Sequence, residues 1–217
     1  LILHFFKNKK GVGDFVRDHP ELKISLINCD ATSIAVKKQI TKGLKSIKSK
    51  RIDVLVNSVG DLIGRKKFEN LDWDFIQKTI DVNVKSAFLF TRYSRPYMGK
   101  GSSIIFISSL TARWGKGDRS SAYGLAKGAI MSFSKSLANE LGPKGIRVNT
   151  ITPGFIRGRF HDRYTKKSTE IKHALNNPMK RVGYPEDVAG VVVFLASKDS
   201  SYVNGITLDV CGGDYIN

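Results

Sequence analysis

The feature that most restricts what this chain can fold into is the kind and order of its apolar segments. Six short runs, Leu1–Phe6, Lys23–Asn28, Asp53–Asn57, Ser103–Ser108, Arg147–Ile151 and Ile206–Val210, are rich in aliphatic and β-branched residues. Between them lie stretches with a helical apolar period: Asp14–His19, Ser33–Ser49, Asp72–Met98, Tyr123–Leu141 and Glu186–Ala196. Val54-Leu55-Val56 and Ile104-Ile105-Phe106-Ile107 are apolar at every position, as in a strand whose sheet is covered on both faces. This alternation predicts an α/β fold, a doubly wound parallel sheet with helices on both faces. At 217 residues the chain is about one domain long, so residues 1–217 are read as a single domain. Residues 155–179 fit neither period and predict an excursion above the sheet.

Composition narrows the class. The longest apolar run, Val188 to Ala196, is nine residues, against the roughly 20 a spanning helix needs, so no membrane segment is expected. Cys29 and Cys211 form no disulfide framework and no zinc spacing, which fits a reducing cytoplasm and leaves the metal ligands at none. The net charge of +17 (36 Lys+Arg, 19 Asp+Glu) raises nucleic acid as a partner. The densest basic stretch, Lys37 to Arg51, interleaves its charges with Val36, Ile40, Leu44 and Ile47 at helical spacing. A solvated lysine face on an amphipathic helix accounts for it, and no zinc-finger, zipper or aromatic RNA-binding pattern accompanies it. Nucleic acid is therefore disfavoured.

In a parallel sheet, ligands bind beyond the carboxyl ends of the strands. The positions that matter here are Lys7–Lys10, Asp30-Ala31, Asn57–Gly60, Ser108-Ser109 and Pro153-Gly154, mostly small, polar or turn-forming. Downstream, Tyr123 and Lys127 stand four apart on one helix face. A phenol near pKa 10 is a poor base at neutral pH, and an ammonium one turn away would lower it toward useful proton transfer. Ser109 lies upstream, near enough through Leu110–Ala122 for both hydroxyls to meet one substrate oxygen. Asn83 sits inside a predicted helix, where an asparagine ordinarily faces solvent or bonds its own backbone.

Asn57-Ser58-Val59-Gly60, Asn83, Ser109, Tyr123-x-x-x-Lys127, Asn149 through Gly154, Arg181 through Ala189, Ser200 through Gly205 and Gly212-Gly213 occur in an order that resembles the short-chain dehydrogenase/reductase family along essentially the whole chain. The resemblance implies a single-domain Rossmann-type fold and a catalytic tetrad. Tyr123 would be the general acid/base. Lys127 would tune it and hold the nicotinamide ribose, Ser109 would bond the substrate oxygen (with Ser108 an alternative), and Asn83 would hold a relay water. Asp30 and Ala31 would line the adenine, Asn57 and Gly60 a cofactor shelf, and Pro153, Gly154 and Ile156 the nicotinamide. Asn57 has in addition a structural reading, a tie between adjacent strands.

This sequence departs from the family pattern mainly at its front. The family opens with a strand and a glycine-rich turn whose helix N-terminus receives the pyrophosphate. Leu1–Phe6 already resembles the second strand, Gly11-Val12-Gly13 follows it, and Val16 stands where a third glycine would. The first strand, glycine loop and first helix are expected to be missing from residues 1–217. Gly158 replaces a common cofactor-bonding threonine, and Cys211 a common aspartate.

After the second strand, an acid would favour NAD(H) and basic groups NADP(H). Lys7, Lys9 and Lys10 follow here, the first acid being Asp14, so NADP(H) is expected over NAD(H), with Lys7 at the 2′-phosphate. The implied activity is hydride transfer between the nicotinamide and a carbonyl or secondary alcohol, small or carrier-bound. The pattern is most like 3-oxoacyl-[acyl-carrier-protein] reductases of fatty acid biosynthesis, with sugar or gluconate dehydrogenases as the alternative. A non-catalytic binding protein on the same fold is the reading of another class. The family also implies a homotetramer.

Overall fold

A computed structural model describes residues 1–216. The elements in chain order are β1 (Ile2–Phe5), α1 (Lys9–Asp18), β2 (Ser25–Asn28), α2 (Val36–Ser46) and β3 (Val54–Asn57). Next come α3 (Trp73–Ile80), α4 (Ser86–Ser94), β4 (Ser103–Ile107), α5 (Leu110–Trp114) and α6 (Ser121–Leu141). The last are β5 (Arg147–Pro153), α7 (Arg159–Tyr164), α8 (Lys167–Asn176), α9 (Pro185–Ala196) and β6 (Thr207–Val210).

Every strand pairing is parallel, in the order β3-β4-β5-β6, with β1-β2 as a separate pair. The continuous apolar run of β4 has its physical cause here. Ile104 and Phe106 point into the cluster that includes Ile130, Ala138 and Leu141 of α6. Ile105 and Ile107 point the other way, against Val188, Val191, Val192 and Leu195 of α9. Helices therefore cover both faces, and Ile104, Ile105 and Phe106 are completely buried. Each such side chain contributes roughly 1.5–3 kcal/mol.

The expected single sheet is divided. Among the described residues β1 bonds only β2, and β3 bonds only β4. β1 and β3 share no ladder bonds, and Val54 and Val56 of β3 are about 40% exposed. The two pieces are joined through helices: Ile27, Val36, Ile40 and Leu44 pack with Leu89 and Phe90 of α4, and His4 meets Phe90 edge-on at 4.8 Å.

Three helical expectations change. The stretch 72–98 is broken by a π-helical turn, Asp81–Lys85, and ends in a short 3-10 turn containing Pro96. The helix expected from Asp14 starts at Lys9, because Asn8 caps it by accepting from the Gly11 N–H at 3.3 Å, so Gly11 and Gly13 lie inside α1. The excursion at 155–179 contains the helices α7 and α8. No described helix is long and apolar enough to cross a membrane.

Candidate active site

The carboxyl ends of β3 and β4 and the start of α6 bring five of the sequence-identified residues together, Gly60, Asn83, Ser109, Tyr123 and Lys127. Helix α6 lays Ala122, Ala126, Ile130, Ser134 and Ala138 against the sheet, and the small residues near its start let it approach closely. Lys127, one position from this seam, is thereby buried. Its Nζ donates to the Ile107 carbonyl at 3.0 Å and stands 5.6 Å from the Tyr123 ring centre. Ser109 ends the β4 segment and caps α5, its Oγ accepting from the Thr111 N–H at 3.2 Å. The adjacent Ser108 is buried with its Oγ committed to the Lys127 carbonyl at 2.8 Å, leaving Ser109 as the hydroxyl beside Tyr123.

Asn83 lies in the π-helical turn, whose wider pitch directs the side chain inward rather than to solvent. It is buried, donates to the carbonyls of Thr79 (2.9 Å) and Asp61 (2.8 Å), and accepts from the Asp61 N–H at 3.2 Å. Gly60 explains how closely these groups converge. A Cβ there would stand 2.6 Å from Asn83 Oδ1 and 2.7 Å from Lys127 Nζ, so only glycine leaves room for both.

The acid–base state differs from the sequence expectation that Lys127 lowers the Tyr123 pKa. Burial pushes the Tyr123 phenol up to about 12; the Ser109 hydroxyl pulls the other way and the Asp61 carboxylate adds to the rise. Burial also brings Lys127 down to about 8. Desolvation outweighs the charge of a neighbour whose Nζ is turned toward a backbone carbonyl. The covering group is on α7, where the Phe160 ring centre is 5.7 Å from that of Tyr123. Phe155 stacks on His161 at 3.7 Å and tilts against His173 at 5.0 Å, so the excursion carries its own aromatic cluster. Burial first, and then His173, holds His161 down to about 4.

The other sequence-identified positions are distributed along the sheet edges. Asn57 donates to Thr91 Oγ1 at 3.1 Å, so it ties β3 to α4 rather than to a neighbouring strand. Asp30 is exposed, and its carboxylate is held low by the N–H and hydroxyl of Thr32, both at 2.8 Å; Ala31 beside it is buried. Lys7 is exposed at the end of β1. Pro153 ends β5, and Gly154 lies so near Cys211 that a Cβ would come within 2.9 Å of the cysteine Cβ. Ile156 forms an isolated parallel bridge with Gly183, which ties down the start of the excursion. Sequence reading passed over Asp61 and Phe160; an acid directly after the Gly60 turn, at the carboxyl edge of β3, was the available signal.

The residues fit a nicotinamide cofactor at one end. The buried Lys127 ammonium has three hydrogens and one protein acceptor, leaving donors for ribose hydroxyls. At the other end, the turn from β1 into α1 (Phe6–Asn8) has no glycine. Among the described residues no group of three His, Cys, Asp or Glu could hold a metal.

A parallel α/β sheet that gathers Ser, Tyr, Lys and Asn at its carboxyl edge defines a nicotinamide-dependent class of oxidoreductase. A family model described as Enoyl-(Acyl carrier protein) reductase matches residues 4–214. The 3-oxoacyl-[acyl-carrier-protein] reductase FabG of Thermotoga maritima is 39% identical over 170 residues, 75% of this chain and 66% of that protein. The uncharacterized oxidoreductase YhdF of Bacillus subtilis is 36% identical over 168 residues, 77% of this chain and 57% of that protein. The match thus spans less than two thirds of either relative. A crystal structure of a short-chain dehydrogenase/reductase (glucose/ribitol dehydrogenase) from Brucella melitensis superposes with a TM-score of 0.91 at 31% identity, over 100% of this chain and 86% of that one. The chain belongs to the short-chain dehydrogenase/reductase family.

Proposed function

We propose that this chain is the catalytic part of an NADP(H)-dependent carbonyl reductase acting on 3-oxoacyl thioesters presented by an acyl carrier. The observation that carries the reading is the convergence of Gly60, Asn83, Lys127, Ser109 and Tyr123 at one sheet edge. Bound NADPH would supply the hydride; Lys127 would hold its ribose, and Pro153, Gly154 and Ile156 would flank its nicotinamide. Ser109 orients the substrate oxygen, and Tyr123 delivers the proton that the oxygen needs as it becomes an alcohol. The phenol, its pKa raised by burial, is protonated at neutral pH and so has the proton that the product oxygen takes. Lys127 and Asn83 complete the path by which Tyr123 is reprotonated.

The similarity to FabG supports the thioester substrate, and the aromatic cover formed by Phe155, Phe160 and Tyr164 suits an apolar acyl chain better than a polyol. The glucose/ribitol dehydrogenase likeness supports a sugar substrate as the second reading. β1 and β3 share no ladder bonds, and the chain spans less than two thirds of the length of the two curated relatives. We read 1–217 as one domain with residues 155–179 as its substrate cover, placed in the cytoplasm. The exposed apolar side chains Phe68, Trp73, Phe88 and Leu125, along the α3, α4 and α6 side, would be buried in a homotetramer.

The test is turnover of an acetoacetyl thioester with NADPH by the full-length product. Tyr123→Phe is expected to lower kcat about 10²–10⁴-fold. Oxidation of gluconate or ribitol with no thioester reduction would overturn the first reading in favour of the second. NADPH fluorescence showing no binding would point to a protein without catalysis.

A further inference from the structure

Asp61 makes contacts that neither the fold nor the proposed chemistry requires. Its backbone is gripped from both sides by one side chain: Asn83 Oδ1 accepts from its N–H at 3.2 Å and Asn83 Nδ2 donates to its carbonyl at 2.8 Å. Its carboxylate faces outward, to the excursion. Oδ1 accepts from the Tyr164 hydroxyl at 2.8 Å and from the Leu62 N–H at 2.8 Å, while Oδ2 accepts from Arg163 at 3.1 Å. Tyr164 is 103 residues away in sequence, and both it and Arg163 lie on α7, the helix that also lays Phe160 over Tyr123. Arg65, four residues beyond Asp61, donates to the Tyr164 carbonyl at 3.3 Å, so the same loop holds the end of α7 at two points.

These contacts are unequal. The Arg163 side chain is mostly exposed, and an ion pair in water contributes little. The Asp61 carboxylate is only about a quarter exposed, and a phenol donating to it is a charge-assisted bond in a partly dry setting. Tyr164 is therefore the stronger arm. α7 is a short helix with no fully buried residue, so once that arm is released only ring contacts such as Phe160 on Tyr123 and His161 on Phe155 would hold it over the site.

We propose that Asp61 is a positioning residue of the active site: through its carboxylate it seats α7 over Tyr123, and through its backbone it stays in register with Asn83. Substrate entry then requires the Asp61–Tyr164 bond to open, and closure behind the substrate remakes it and retains the substrate. The inference rests on the reading of Tyr123 and Asn83 as proton-handling groups.

Amide hydrogen exchange and phenol titration of the full chain test it in Asp61→Asn and Tyr164→Phe, with Asp61→Glu as the conservative replacement. Exchange at residues 159–164 is expected to rise about tenfold in the first two variants, with β4 and α6 unchanged, and to recover at least in part in Asp61→Glu. The ultraviolet ionisation midpoint assigned to Tyr123, by subtraction of a Tyr123→Phe spectrum, is expected to fall in Tyr164→Phe, where the Asp61 charge is kept, as water reaches the phenol. With a working carbonyl substrate, KM should rise about fivefold while kcat changes less than twofold. Parent-like exchange at 159–164 in both Asp61→Asn and Tyr164→Phe would overturn the proposal. A chain that reduces no carbonyl yet shows the faster exchange loses the functional reading and keeps the clasp.

Discussion

The two pieces of the sheet are built from similar sequence and reach opposite physical states. In β4, four of five residues are buried, with α6 on one face and α9 on the other. In β1, a similarly apolar strand, every residue is only partly buried, and its one ladder partner is the outer strand β2. The difference does not lie in β propensity. It lies in how many neighbours each strand has, since burial grows with every face and edge that is covered. The chemistry sits on the first kind of strand: Ser109 follows β4, and Lys127 bonds the Ile107 carbonyl. Lys7, proposed to choose the cofactor, and Asp30, proposed to line its adenine, follow β1 and β2. Rigid scaffold and recognition edge are thus separated along the sheet.

The largest effect that would test this contrast comes from matched deletions. Phe106→Ala in β4 removes a completely buried ring and is expected to cost about 3–5 kcal/mol of unfolding free energy. Phe5→Ala in β1 removes a half-buried one and should cost about half that or less. Urea unfolding of the two variants measures the difference. Equal losses would show that β1 is as tightly held as β4 and would remove the contrast.

How much of this was legible in the sequence follows from the same physics. The strands are legible to within a residue or two because each is a short run rich in aliphatic and β-branched residues, continuous in β4 where both faces are covered, a signal local to a few residues. The Tyr123/Lys127 pair was legible because helical spacing fixes it. The charge state of that pair was not, since the phenol is raised by burial under Phe160, which comes from a distant helix whose own sequence has no clear period. Asn83 is singled out by the family resemblance alone, because the π-helical turn that directs it inward leaves no signature in its own sequence. Asp61 was missed for the same reason: its partners Arg163 and Tyr164 become neighbours only when α7 folds back.

Within the rigid piece, Lys127 is a point of conflict between stability and function. An ammonium brought from 10.5 to about 8 by burial destabilises the folded chain by roughly 3 kcal/mol at neutral pH. Lys127→Met is expected to raise unfolding free energy by about 1–3 kcal/mol at pH 7, the lower end reflecting the lost bond to Ile107, and to abolish turnover. The pH dependence has a defined sign. Below about 8 both folded and unfolded parent carry the proton, and the full penalty applies. Between about 8 and 10.5 the unfolded chain alone holds it, so parent stability climbs with pH and the advantage of the variant closes. Thermal unfolding of parent and variant at pH 7 and pH 10 measures this, and a variant less stable than the parent at pH 7 would place the amine in water instead.

The smallest effect belongs to the recognition edge, and it asks whether that edge reads charge at all. Lys7 is exposed, its Nζ 5.5 Å from the Phe6 ring centre, and Lys9 and Lys10 follow in the first turn of α1, where no acid opposes them. Basic side chains and the positive end of a helix both favour a 2′-phosphate at this strand end. An exposed ion pair is worth at most about 1 kcal/mol, so Lys7→Ala should weaken NADPH about three- to fivefold and leave NADH unchanged. That selectivity matters more than the magnitude. Raising salt should reproduce it in the parent, because an exposed pair is screened within about 10 Å at 0.1 M. If NADPH and NADH weaken equally in Lys7→Ala, the lysines after β1 are a solvated face like that of α2, and the edge reads shape rather than charge.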